Sequence, residues 1–134
     1  MIFDTNLFDE LTAQAKVSPR LRYLYDLRNS PEDNSQRFLN ALEPETVLPI
    51  HKHPNCNSVI IVLKGAVRHY IYDDNGNVTE QTEVRAQDGV QPLVQIEKDV
   101  WHNLVCLESG TVIFEHKDVK YDPETDTVRF DDKA

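Results

Sequence analysis

The chain has 134 residues, 40% of them apolar, which is enough for one domain with a real core and too little for a second. Asp and Glu number 23 against 14 Lys and Arg, and the net charge of −9 excludes nucleic acid and anionic membranes as partners, because both demand a basic surface. Two cysteines, Cys56 and Cys106, make no disulfide framework, and an N-terminus with neither a basic region nor a long apolar stretch shows no signal peptide or membrane helix, so a cytoplasmic protein is expected.

Asp4 or Thr5 caps a first helix, in which Leu7, Phe8, Leu11 and Ala15 recur at helical spacing until Val17 to Pro19 ends it. "RLRYLYDLRNSPED" alternates loosely and turns at Ser30 and Pro31, so residues 1–35 read as a helix and an arm or lid. Gln36 to Leu42 is taken as a strand, although Phe38, Leu39 and Leu42 would also suit a short helix. "SVIIVLKG" is a run of branched residues closed by Gly65. "AVRHYIYDDNGNVTEQTEV" is a hairpin in which Asn75-Gly76 supplies the positive φ of the turn. Three more short strands follow, separated at Glu97–Asp99 and at Ser109–Gly110, and all four glycines (65, 76, 89 and 110) fall between strands. So many short strands predict an all-β antiparallel barrel or sandwich over residues 36–118, with residues 119–134 as an acidic, solvated tail holding Asp122, Glu124, Asp126, Asp131 and Asp132.

"LPIHKHPNC" places His51 and His53 on one face if the segment is extended. Neutral imidazole is the commonest protein ligand for zinc, iron, nickel or copper, and such a pair can grip one ion. His102, at the start of a strand in "EKDVWHNLV", is the third candidate. Cys56 and Cys106 read as small buried hydrophobes, and His69 and His116 as structural or exposed.

His-x-His, a β run, a closing glycine and one later histidine resemble the cupin superfamily. His51 and His53 match its first motif, Gly65 that motif's last glycine, and His102 the histidine of the second motif. Two departures stand out. The motif's glutamate falls at position 58, where this chain has Ser58, and Glu97 and Asp99 replace the proline and glycine of the second motif. Further segments, "SPRLR", "QRFLNALEPETVLPIHKHP", "YDDNGNV", "VWHNLVCL" and "VIFEHKDVKYDPETD", are similar to the WbuC-type family of small cupin metalloproteins, often found with genes for surface polysaccharide synthesis.

The resemblance implies a single cupin-type jelly-roll barrel. It also implies one divalent metal ion (zinc, iron or nickel) on His51, His53 and His102, with an open position beside Ser58. Arg20, Arg22 and Arg37 are expected at the pocket mouth, where arginine can hold a carboxylate, a phosphate or a sugar-like ligand, with Arg37 orienting it. Glu115 is the candidate acid or base. Three functions are in view. One is an enzyme on a sugar or sugar nucleotide with the metal as Lewis acid, one a three-histidine iron dioxygenase, and one a module that binds a small ligand without chemistry. A homodimer paired through sheet edges is expected.

Overall fold

The computed structural model describes residues 1–87 and 90–132. Among these residues lie one α-helix, α1 (Thr5–Val17), one 3-10 turn (Phe130–Asp132) and ten strands: β1 (Arg22–Asp26), β2 (Gln36–Leu42), β3 (His51–Lys52), β4 (Ser58–Lys64), β5 (Ala66–Tyr72), β6 (Val78–Arg85), β7 (Leu93–Ile96), β8 (Trp101–Cys106), β9 (Thr111–Lys117) and β10 (Val128–Arg129). They form two five-stranded antiparallel sheets, ordered β1-β2-β9-β4-β7 and β10-β3-β8-β5-β6. This is the all-β antiparallel architecture that the strand spacing predicts, in the jelly-roll form that the resemblance implies. Among the described residues no helix is long and apolar enough to cross a membrane.

The core lies between the sheets. Leu42, Ile60, Val62, Val67, Val84, Ile96, Leu104, Cys106 and Ile113 meet there, inward-facing residues of β2 and of β4 to β9. A second cluster lies outside the first sheet, where Leu11 and Ala15 of α1 cover Leu39, Ala41 and Val112. β2 is therefore buried on both faces, which explains why its apolar residues do not alternate cleanly. Phe38, Asn40 and Leu42 face the barrel, and Arg37, Leu39 and Ala41 face outward.

Asp4 caps α1 by accepting the Leu7 amide at 3.1 Å. Gly65, in the tight turn from β4 to β5, has φ +81°, and a Cβ there would meet Thr111 Oγ1 at 2.3 Å and its Cα at 2.9 Å. In the β5–β6 turn Gly76 takes the positive φ, and Asn75 does not. Gly89 lies outside the described residues.

Two boundaries drawn from the sequence do not divide the structure. β1 pairs along its whole length with β2, from Arg22↔Leu42 to Asp26↔Phe38, so the first 35 residues include an edge strand of the barrel. At the other end β10 pairs with β3, and the Asp126 side chain is only 6% exposed. The acidic segment is thus partly built into the fold. Its charge pattern predicted solvation because the partners of Asp126 are set by the fold: Gln36 lies 90 residues away, and Lys117, nine residues back, is brought to it by the turn after β9.

Candidate metal centre

β3 and β8 place the three histidines. His51 pairs directly with His102 across the ladder, and both side chains face the interior with His53, which follows the end of β3. Ring centroids are 4.4 Å apart for His51–His102, 5.0 Å for His51–His53 and 5.4 Å for His53–His102. One ring nitrogen from each lies within 4.8 Å of the other two.

The hydrogen bonds fix which nitrogen is free. Nδ1 of His51 bonds the Pro49 carbonyl at 2.8 Å, Nδ1 of His53 the Asp126 carbonyl at 2.8 Å, and Nδ1 of His102 the Val100 carbonyl at 2.9 Å. A carbonyl only accepts, so each Nδ1 carries its hydrogen, and each neutral ring keeps a lone pair on Nε2. That is the tautomer a metal-binding histidine shows when its other nitrogen is held by an outer partner. Burial holds the His53 imidazole down to about 4, with nearby Lys117 adding to the effect. Burial and the neighbouring His51 push His102 down further. His51 is lowered by burial in the same way. All three rings are therefore neutral near neutral pH.

The donor set fits a divalent cation. Three neutral nitrogens and no bound carboxylate leave positions open for a further ligand. Two buried polar atoms without a hydrogen-bond partner among the described residues also face the barrel interior, Ser58 Oγ on β4 and His69 Nε2 on β5. His69 stacks on His102 with centroids 5.7 Å apart. Expected from the sequence to be structural or exposed, it is buried, and its alternation with Val67 and Ile71 already puts it on the inward face.

A cavity of about 450 Å³ opens beside His51 and His102, lined also by Arg20, Arg22, Asn40 and Glu115. Burial raises the Glu115 carboxyl and Lys117 pulls it back, so this side chain is a weaker acid than a surface glutamate. Ser58 is buried but is not part of this wall. Arg37 is a correction. It lies on the outward face of β2, where its guanidinium bonds the Leu27 carbonyl at 3.2 Å, pairs with Asp33 at 2.9 Å and bonds Ser35. The alternation of β2 gives the inward positions to Phe38 and Asn40, so Arg37 cannot orient a ligand in the cavity. Cys56 is buried away from this cavity, against a second one of about 770 Å³ near Arg28 and Tyr121.

Asp99 holds the turn before His102 in place. Its φ is +66°, the left-handed conformation that favours glycine, and it stands where the motif has glycine. Its amide donates to the His53 carbonyl at 2.9 Å, which ties the turn before His102 to the segment carrying the other two histidines.

No curated relative matches the chain. Among solved structures, oxalate oxidase in complex with glycolate superposes with a TM-score of 0.64 at 14% identity, over 84% of this chain and 57% of that one. Oxalate decarboxylase from Bacillus subtilis gives 0.61 at 20% identity, over 81% of this chain and 27% of that one. KdgF from Halomonas sp. gives 0.61 at 14% identity, over 81% and 87%. The chain thus spans about a quarter of the decarboxylase and just over half of the oxidase. These likenesses show the fold, a cupin jelly roll. A family model described as a domain of unknown function, DUF6016, matches residues 3–84, more than half of the chain and including His51 and His53, so the chain belongs to that family.

Proposed function

We propose that this chain is a metal-binding cupin in which His51, His53 and His102 hold one divalent ion, and that the adjoining cavity admits a small anionic or polyhydroxylated ligand. The observation that carries the reading is the shared hydrogen bond at Nδ1, which leaves three Nε2 lone pairs in one buried cluster. Zinc, iron or nickel suits such a donor set. When bound, the ion supplies Lewis acidity toward a carbonyl or hydroxyl oxygen. The protein groups divide the remaining work. Arg20 and Arg22 stand on the wall of a cavity in an otherwise acidic molecule, and guanidinium is suited to a carboxylate or phosphate. Glu115, with its raised affinity for a proton, is the group to give or take one.

The sequence likeness to WbuC-type proteins supports a sugar or sugar nucleotide of surface polysaccharide synthesis as the ligand. The glycolate bound in the oxidase neighbour supports the broader class of small carboxylates. A second reading is favoured by the lack of an anionic ligand at Ser58: a three-histidine iron centre for dioxygen chemistry. A third, binding without chemistry, needs only the cavity and Arg22. Elemental analysis of the purified protein tests the proposal. We expect about one ion per chain, lost when His51 and His53 are both changed to Ala. A double variant that keeps the wild-type metal content refutes the site. Iron accompanied by substrate-dependent oxygen uptake would select the dioxygenase, and a redox-inert metal would exclude it.

A further inference from the structure

β3, which starts at His51, is only two residues long, and its neighbours in the sheet are β8 on one side and β10 on the other. Two of the three histidines thus sit on or beside a strand that the C-terminal segment flanks. Arg129 pairs with His51, Val128 with Lys52, and the Phe130 amide donates to the Ile50 carbonyl at 2.9 Å. The Phe130 ring meets Trp101 edge-on at 5.3 Å, beside His102 in the chain.

Asp126 ties this segment to the site. Its backbone carbonyl accepts the His53 Nδ1–H, and its buried carboxylate is held from three directions. Gln36 Nε2 donates to Oδ1 at 3.1 Å, Lys117 Nζ to Oδ2 at 3.3 Å and Thr127 Oγ1 to Oδ2 at 2.7 Å. The peptide that orients His53 cannot move without breaking those bonds.

Resting on the reading of the triad as a metal centre, we infer that residues 126–130 form a clasp whose docking and metal loading are linked, with Asp126 as a positioning residue for His53. Docking sets the His53 tautomer and ring angle, so it raises the affinity of the three Nε2 atoms for an ion. The reverse follows by linkage: an ion that draws the three rings together holds the clasp down by the same factor. A strand that merely closed the sheet would contribute to stability without responding to metal.

Cobalt(II) is the probe, added to the metal-free full chain and followed by competition with a chromophoric chelator. Asp126→Ala keeps the carbonyl that His53 bonds but removes the side-chain bonds that anchor it, so it should weaken cobalt binding by about tenfold, the lower end of what loss of the outer partner itself would cost. Asp126→Asn, which keeps an acceptor for Gln36, should lose less. In the unaltered chain, saturating cobalt should slow tryptic cleavage after the exposed Arg129 several-fold. This second measurement holds even if Asp126→Ala does not fold. The inference is overturned if the unaltered chain binds cobalt and Asp126→Ala binds it equally well, or if cleavage after Arg129 is as fast with cobalt bound as without it. An unaltered chain that binds no cobalt overturns the metal reading itself, and the linkage with it.

Discussion

His69 is 2% exposed, and its Nε2 has no hydrogen-bond partner among the described residues. An unsatisfied buried polar atom costs about 1–3 kcal/mol. In the metal-free protein, His69→Leu should therefore raise the unfolding free energy by about 1 kcal/mol, as measured by urea denaturation. A loss of similar size would show that Nε2 has a partner in solution. Burial pushes the Cys56 thiol up to about 11, and raises Cys106 as well. A raised thiol pKa keeps the unreactive protonated form, so the thiolate gains population only toward strongly alkaline pH. At about pH 8 a disulfide reagent should find both thiols silent in the native protein and both reactive after unfolding. Rapid labelling of native Cys56 would place it at an open, charged surface instead. His51 and His53 were legible as a pair because extended spacing puts them on one face, whereas His102 joined them only through the resemblance to the cupin motifs. The position of Arg37 was not legible, because one residue of register reverses its side and only the pairing with β9 fixes that register.

The turn Glu97–Val100 is the element that aligns β8 with β3. It takes a left-handed backbone at Asp99, whose short polar side chain tolerates that conformation and also pairs with Lys52 at 2.9 Å. Asp99→Gly should be nearly neutral, since relief of strain offsets a largely exposed ion pair. Asp99→Val should cost about 1–2 kcal/mol, because a branched side chain fits the left-handed region poorly. Thermal melts of the two variants separate these outcomes, and equal stability would mean that the turn rearranges. β2 illustrates the other limit on reading elements from sequence. A strand covered by α1 on one face and by the barrel on the other shows little alternation, so its apolar positions also fit a helix. Its β-branched neighbours in the following strands, more than its own pattern, identified it.

At the scale of the whole molecule, the strands and the glycine turns at Gly65 and Gly110 were readable, whereas the closure of the two chain ends onto the barrel was not. β1 and β10 are short, and what binds them is the hydrogen-bonding capacity of the sheet edges they cover. Their docking leaves β1 and β7 as the edges of the first sheet, and β1 exposes Tyr23 at 39% and Leu24 at 49%. Within the single chain the first 35 residues lie on their own barrel, with β1 paired to β2. The proposal that fits is edge-to-edge pairing of β1 with β1 of a second copy, which would extend the sheet and bury both apolar side chains beside the cavity wall. Light scattering at micromolar concentration should then give twice the chain mass. Leu24→Lys, which places a charge on that edge, should shift the equilibrium to monomer without lowering the thermal midpoint of the isolated fold by more than a few degrees. A strict monomer for the unaltered chain would dispose of the proposal. A dimer indifferent to Leu24→Lys would move the interface to another edge.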